Sequence, residues 1–522
     1  MRAFPACFVL IAVALAGSAV AAEKAHFSVD ASKTGAKIDR NIFGQFAEHL
    51  GHGIYEGIWV GPDSTIPNTR GIRNDVVGAL RALKVPNVRW PGGCFADEYH
   101  WRKGIGPADR RAVSLNPVWG GVIEPNSFGT EEFMDFLDQI GSAAYVSVNV
   151  GSGTPQEAAE WLEYMTTAQQ TTLARQRAAN GHAAPYKVGF LGVGNESWAC
   201  GGNMTVDYYL SQLKIYSHFV RNFNPDQQGT NQMLKIAVGP GEPGTEWTEA
   251  VMKAYKSRQW SWDIDGLSMH SYTTVKWPPA FASTGFGVKE YAEILKATLG
   301  MEGQVSEQSA VMDKYDPDKK VALVVDEWGA WYAPLPGTNP GFLVQQNSLR
   351  DAVLASLNLN IFARHADRVR MTNIAQMINV LQAMILTDKE KMVLTPTYYV
   401  YKMYVPFQNA TFVPVAFDAG AYTHGDVTLP RLDAIAAKDA SGKLWLEITN
   451  LDPEQPAEID VAGMAVKSAA GETLTAPAVD SVNSFDAPNT VAPKPVAVKI
   501  QGGKLTLKVE PKSVTTISLS AN

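Results

Sequence analysis

The sequence predicts an α/β fold: a (β/α)8 TIM barrel followed by a C-terminal all-β sandwich of jelly-roll type. Three observations carry this. Apolar, β-branched runs alternate with helical stretches from the start to about residue 375, and eight such runs can be placed. From about residue 405 the helical period fades and short alternating segments replace it. No Gly-rich dinucleotide loop opens the first unit, which disfavours a doubly wound open sheet.

The barrel strands are expected at Ile42–Phe46, Asn87–Trp90, Tyr145–Val150, Val188–Val193, Ile236–Gly239, Gly266–His270, Val321–Val325 and Arg370–Ala375. Between them, Arg73–Leu83, Glu131–Ile140 and Pro155–Thr167 carry apolar residues at three- and four-residue spacing, the period of a helix with one buried face. Thr154 before Pro155 is a good helix start, with an N-cap hydroxyl and proline at the first helical position. Thr205 caps a helix through Phe223, and Asn347–Phe362 is a further apolar-striped helix.

The sandwich strands are expected at Leu444–Ile448, Glu458–Val461, Val496–Ile500, Lys504–Val509 and Thr515–Leu519. Thr475–Pro493, rich in Ala, Pro, Ser and Asn, reads as a long loop. His26–Asp30 is β-like and is placed to pair with the C-terminal sheet. The chain therefore divides into a leader over 1–21, a barrel over 40–405, and a sandwich built from 22–39 with 406–522.

The leader reading rests on Arg2, the apolar stretch Phe8–Ala16 and the small-x-small pattern Ala19-Val20-Ala21. The stretch is too short to span a bilayer comfortably, so cleavage and a secreted or periplasmic enzyme are expected, without a membrane anchor. Beyond Cys7 the cysteines are Cys94 and Cys200, which make neither a disulfide framework nor a CxxC metal site. A bridge between them and two free thiols both remain open. Net charge is −7 with no concentrated basic face, which excludes nucleic acid as a partner.

Two carboxylates stand in loaded positions. Glu196 follows the run Val188–Val193, and Glu327 follows Val321–Val325. In a parallel barrel the C-terminal strand ends form the active-site face. Two Glu there can divide into acid/base and nucleophile for cleaving a glycosidic bond, because mutual repulsion raises one pKa while the other stays charged. Either Glu alone would be as well explained by an Arg partner or a helix cap. Asp326 competes for the nucleophile role, but strand alternation points it away from Glu327's side.

The segment Asn41-Ile42-Phe43-Gly44-Gln45-Phe46-Ala47-Glu48-His49-Leu50-Gly51 resembles the N-terminal signature of the family-51 α-L-arabinofuranosidases. Further matches are Val88-Arg89-Trp90-Pro91-Gly92-Gly93, Val193-Gly194-Asn195-Glu196, His270-Ser271-Tyr272, Asp326-Glu327-Trp328-Gly329 and Ala375-Gln376-Met377-Ile378-Asn379-Val380. They run in the family's order over most of the chain. The resemblance implies a retaining, exo-acting α-L-arabinofuranosidase with no cofactor. Its partner would be an arabinose-containing polysaccharide or oligosaccharide. It also implies a homo-oligomer, which nothing in the residues themselves demands. Glu196 is then the acid/base and Glu327 the nucleophile, with Glu48, Arg89, Asn195, His270, Tyr272 and Gln376 as contacts.

Each type suits its task. Arg89 can hold Glu327 ionised, Asn195 can donate to the sugar 2-OH, and Tyr272 can orient the nucleophile. For Arg89 the bland reading is a barrel-interior ion pair; for Tyr272 and Gln376 it is core hydrogen bonding. Many family members carry Asn after Pro-Gly-Gly, where it touches the sugar. Here Cys94 occupies that subsite position, a poor hydrogen-bond partner, with Asp97 and Glu98 near enough to replace the contact. Trp59, Trp101, Trp119, Trp198, Trp328 and Trp331 fall near the same face. Trp328 is expected among the sugar contacts, while at least half of the set are expected to be packing residues. The grouping Glu48-His49-Leu50-Gly51-His52 is not a zinc motif, so no catalytic metal is expected. His49 and His270 are expected to line the barrel mouth.

Two rivals stand beside this reading: an endo-glucanase or xylosidase of the same family, and a non-catalytic carbohydrate-binding protein on a barrel. Activity on an aryl arabinofuranoside against carboxymethyl cellulose separates the first, and binding without turnover would mark the second.

Overall fold

The computed structural model describes residues 23–521 apart from Glu242. Eight parallel strands close into a barrel: Gly44–Phe46, Asn87–Trp90, Ala143–Val148, Val188–Val193, Leu234–Ala237, Gly266–Thr273, Ala322–Ala330 and Val369–Ile374. Closure comes from Asn373 and Ile374 of the eighth strand lying opposite Gly44 and Gln45 of the first. Tyr145, Ile236, Ala322, Val324 and Met371 fill the lower interior. The outward side chains pack under the surrounding helices in the main core. Burial on both faces is why these strands read as continuous apolar runs.

The capping residues act as their chemistry dictates. Thr154 accepts from the Glu157 amide to start Pro155–Thr166, and Thr205 accepts from Tyr208 to start Val206–Phe219. A 28-residue helix, Val288–Tyr315, follows the sixth strand. Gly300 and Gly303 fall within it and cost some helix stability, and its stripe of Tyr291, Ile294, Leu295, Met301, Val305 and Met312 is buried.

The C-terminal region is two stacked sheets. One orders Val415–Asp418, Glu23–Val29, Ala457–Ala462, Lys504–Val509 and Val498–Gln501. The other orders Thr411–Val413, Leu432–Lys438, Leu444–Asn450, Ser513–Ala521, Val466–Leu474 and Lys494–Pro495. The early strand is second of five in the first sheet: Phe27 lies opposite Phe417 on one side and Val461 on the other.

The two regions interlock through the helix Leu349–Arg364. The loop after Leu474 covers its N-terminus, where the Leu349 amide donates to the Ser481 carbonyl at 2.9 Å and Arg350 to Val479 at 3.0 Å. Free donors of the first helical turn are thereby satisfied. Further along, Ser356 and Asn360 donate to the buried Glu447 carboxyl at 3.0 and 2.6 Å. Burial pushes Glu447 up to about 8. We propose that 40–405 and 22–39 with 406–522 are folding units that depend on each other.

Truncation after residue 405 is expected to give insoluble protein, because it strips the early strand of both partners and uncovers apolar barrel surface; a soluble, fully active 40–405 fragment would show the sandwich to be an appendage. Glu447 gives a pH test. Its folded pKa lies above its ordinary value, so its contribution is complete in acid and is lost as pH rises towards 8. Glu447→Gln keeps the shape, and the hydroxyls of Ser356 and Thr449 can turn to accept from the new amide. The melting temperature of the variant minus that of the parent should grow by several degrees between pH 5 and 8. A flat difference would mean that Glu447 does not titrate there.

Candidate active site

The site is assembled at the C-terminal ends of the strands, and two local distortions aim its carboxylates. After the fourth strand the chain turns through Gly194 at φ 94° and then places Glu196 at φ 38°. The first value suits glycine; the second holds an ordinary side chain in the left-handed region, a strain typical of functional sites. The Glu196 carbonyl accepts from the amides of Ala199 at 2.7 Å and Gly201 at 3.0 Å, which locks the turn.

In the seventh strand, Ser268 pairs with Val324 but His270 pairs with Glu327, so one extra residue is inserted. This bulge breaks the alternation. Asp326 and Glu327 consequently both face inward, which corrects the expectation that only one of them does. Asp326 accepts from the Tyr145 hydroxyl at 2.6 Å, deeper in the barrel. Glu327 accepts from Arg89 Nη1 at 2.6 Å and from the Tyr272 hydroxyl at 2.7 Å.

Carboxylate oxygens of Glu196 and Glu327 come within 4.8 Å of each other, with His270 between them. His270 Nδ1 lies 2.8 Å from Glu196 Oε1, and Nε2 lies 3.2 Å from Asp326 Oδ1. Burial alone would lower this imidazole, but the charge of Glu327 and the hydrogen bonds to Asp326 and Glu196 outweigh it and push it up to about 10. Asp326 is held below the usual carboxylate range: burial opposes this, and Arg89 with His270 overcome it. Burial also works against the Arg89 guanidinium, yet Glu327 and Asp326 raise it further. Its second arm donates to Asn195 Oδ1 at 2.6 Å, and its plane lies over the Phe46 ring at 4.6 Å.

Glu48 forms a second pole. It accepts from the Phe95 amide at 3.0 Å, Trp119 Nε1 at 2.9 Å and Gln376 Nε2 at 2.8 Å. Burial first, then the charge of Glu327, raise it to about 7. The Pro-Gly-Gly turn is needed for this approach, since a Cβ on Gly93 would sit 2.8 Å from Glu48 Oε1.

Cys94 and Cys200 are joined in a disulfide, with Cα atoms 5.5 Å apart. Cys200 Sγ lies 3.4 Å from Glu196 Oε2. The bridge therefore forms a wall beside Glu196, and no thiol stands in the subsite. Asp97 does not replace a sugar contact: its Oδ1 accepts from the amides of Val150 and Gly151 at 2.8 and 2.7 Å. Glu98 faces a separate cavity with Tyr99 and His100.

Trp328 is a correction. It is wholly buried on the outer side of the barrel, bonded to Thr372 at 3.1 Å and edge-on to Phe362, because the bulge sends it outward; it cannot touch a sugar. His49 is likewise packed away, within an aromatic cluster that includes Phe95 and Trp90. Trp90 donates to its Nε2, and its Nδ1 pairs with Glu124 at 3.0 Å. Trp101 stacks on Trp161. Trp198 and Trp331 line the cavity beside Glu196, as does Trp277, which the sequence reading missed. Glu196, His270 and Glu327 are grouped closely enough to ligate a cation. Both imidazole nitrogens, however, already face carboxylates.

A family model described as the α-L-arabinofuranosidase C-terminal domain matches residues 326–513, and one described as the α-L-arabinofuranosidase 1 domain matches residues 79–263. A Bacteroides ovatus protein named as an intracellular exo-α-L-arabinofuranosidase is 45% identical over 96% of both chains. The crystal structure of the GH51 arabinofuranosidase from Xanthomonas axonopodis pv. citri superposes with TM-score 0.92 at 50% identity, covering 95% of this chain and all of that one. The α-L-arabinofuranosidase from Thermotoga maritima, solved with arabinose, superposes with TM-score 0.82 at 30% identity, covering 95% of this chain and 99% of that one. With its eight-stranded barrel and facing carboxylates, the protein is a glycoside hydrolase. It belongs to the family-51 α-L-arabinofuranosidases.

The expectation of a secreted or periplasmic enzyme is corrected by the Bacteroides relative, which is named as intracellular. Residues 1–21, whose composition alone suggested a leader, lie outside the described residues. Among the described residues no helix is long and apolar enough to cross a membrane.

Arg89→Lys tests the site's geometry. Lysine keeps the charge but lacks the fork that reaches Glu327 and Asn195 together. Turnover should fall on the order of 10²-fold, the cost of misplacing reacting groups, with circular dichroism unchanged. Activity near that of the parent would reduce Arg89 to an ordinary interior ion pair.

Proposed function

We propose that the protein is a retaining, exo-acting α-L-arabinofuranosidase that releases terminal non-reducing α-L-arabinofuranosyl groups by double displacement. Arabinoxylan, arabinan and their oligosaccharides are its substrate class. The observation that carries the reading is the approach of the Glu196 and Glu327 carboxylates to within 4.8 Å. Retaining sites hold their carboxyls roughly 5–5.5 Å apart, whereas inverting sites leave roughly 6.5–9.5 Å for a water.

Roles follow from the neighbours. Glu327, fastened by Arg89 and Tyr272, has its charge balanced in place and attacks the anomeric carbon. Glu196 is more exposed and opens on the cavity where a leaving group would depart. It protonates the departing oxygen and then deprotonates the incoming water. Glu48 and Gln376 accept and donate hydrogen bonds to the furanose hydroxyls, and Asn195 faces the 2-OH. The relative named as an exo-enzyme supports terminal attack.

Glu327→Gln should lower turnover by several orders of magnitude, and a fluorinated arabinofuranoside inactivator should label Glu327; labelling of Asp326 with an active Glu327→Gln variant would reverse the assignment. NMR should find the first-formed arabinose with retained anomeric configuration. For Glu196→Ala, azide should restore hydrolysis of nitrophenyl arabinofuranoside and yield the azide of retained configuration. Arabinoxylan should stay essentially uncleaved, as lost acid catalysis costs about 10²–10⁴-fold. Equal slowing of both substrates with no azide effect would remove Glu196 from that role.

A further inference from the structure

The two oxygens of Glu196 meet different neighbours. Oε1 lies 2.8 Å from His270 Nδ1, and Oε2 lies 3.4 Å from Cys200 Sγ. Cys94, Cys200 and Glu196 each bring one ligand atom to within 4.8 Å of the other two. While the bridge is intact the sulfurs are bonded to each other. A metal is held by the thiolate, which only the reduced chain supplies.

Both arms of the bridge are held by other bonds. Glu196 and Cys200 share one tight turn, closed by the Ala199 and Gly201 amides on the Glu196 carbonyl at 2.7 and 3.0 Å. Cys94 opens the helical turn Cys94–Asp97. There the Phe95 amide is held by Glu48 at 3.0 Å, and the Asp97 carboxylate takes the amides of Val150 and Gly151. Breaking the S–S bond therefore leaves the two sulfurs facing each other on fixed loops. Cys200 is exposed and Cys94 half-buried, so a soluble dithiol reaches the bond. The exchange balances: the two sulfurs of the reductant join as its own disulfide, and its two hydrogens pass to Cys94 and Cys200.

The reduced trio has the chemistry of a zinc site. Zinc takes thiolates and carboxylates in a tetrahedral array, at about 2.3 Å for sulfur and about 2.1 Å for oxygen. Those lengths set a sulfur and an oxygen about 3.6 Å apart, close to the 3.4 Å between Cys200 Sγ and Glu196 Oε2. Asn195 Nδ2, 3.7 Å from Cys200 Sγ, donates to that sulfur, the support that outer neighbours give a ligand. His270 holds the other carboxylate oxygen and need not move. The two thiols release their protons to solvent as the metal binds, and water fills the fourth position. Soft sulfur ligands select zinc over magnesium. Resting on the assignment of Glu196 as acid/base, we propose that reduction turns the Cys94–Cys200 bridge into a zinc site of Cys94, Cys200 and Glu196, and that zinc bound there stops turnover by occupying the acid/base.

The test uses the full chain, bridged, and again after reduction with dithiothreitol that is then removed under argon. Cobalt(II), a coloured stand-in for zinc, should bind the reduced protein with a near-ultraviolet thiolate charge-transfer band. The bridged protein should give no such band, and zinc should displace the cobalt. Cys94→Ser and Cys200→Ser should each weaken the band. Glu196→Gln keeps both thiols, so it should keep the band while binding cobalt at least about tenfold less tightly. An equivalent of zinc should slow the reduced enzyme on 4-nitrophenyl α-L-arabinofuranoside on the order of 10²-fold, the scale of lost acid–base catalysis. A chelator should restore the rate. The bridged enzyme should keep its rate with zinc, and magnesium should slow neither form. Equal cobalt binding by both forms, a spectrum without the thiolate band, or full turnover with zinc bound overturns the proposal, as does loss of the circular dichroism signal on reduction. A parent inert without metal overturns the glycosidase reading instead, and the cobalt band then decides the metal site on its own.

Discussion

The guanidinium of Arg89 is the constraint around which the barrel mouth is organised. Four acidic side chains, Glu48, Glu196, Asp326 and Glu327, crowd one partly dehydrated space. Taking even one carboxylate from water costs several kcal/mol unless an opposite charge and hydrogen bonds replace the solvent. Arg89 supplies both. Its fork spans Glu327 and Asn195, its Nε side faces Asp326, and Phe46 covers its plane. His270 adds a second cation between three of the acids. The proposed nucleophile is therefore paired with an opposite charge where it lies buried, whereas burial and the charge of Glu327 raise Glu48, which pairs with neither cation, to about 7.

The rest of the structure holds that cluster to tight tolerances. Strands of the barrel fix Arg89, His270, Tyr272 and Glu327, while the positive-φ turn fixes Glu196. The loop after the second strand is pinned twice. Glu48 takes the Phe95 amide, and Asp97 takes the amides of Val150 and Gly151. Outside the barrel, the sandwich clamps the helix Leu349–Arg364, which packs behind the seventh strand through Phe362 and Trp328. A polar interface between the two regions thus reaches the site through one layer of packed rings.

Much of this was legible in the chain because it depends on repeated patterns. Burial on both faces writes an apolar run, so all eight barrel strands could be placed to within a few residues. Glu196 and Glu327 stood out by their place after such runs. What depends on a single irregularity was hidden. The bulge in the seventh strand leaves no mark in composition, so strand alternation put Asp326 on the wrong side; Trp328 was placed among the sugar contacts only by its position next to Glu327, where alternation itself would have turned it outward. The bridge between Cys94 and Cys200 is a matter of distance between loops, which sequence does not state. Trp277 carried no signal, because one Trp in a loop is usually packing. The leader reading failed differently: a short apolar segment was given an address that the Bacteroides relative does not share.

The bulge has a meaning for how such a site can change. A strand's side chains obey parity, odd to one face and even to the other. Adjacent acids such as Asp326 and Glu327 are forbidden by that rule from sharing a chamber. Here the rule is broken by one inserted residue, and the phase is reversed for everything beyond it, Trp328 included. No sequence of amino-acid replacements along an unbulged strand reaches this arrangement, because substitution never alters parity. A shift of register against the neighbouring strand does. Copying an adjacent Asp and Glu into an unbulged strand would therefore send one of them to the outer face, so the arrangement is hard to transplant by exchanging residues alone.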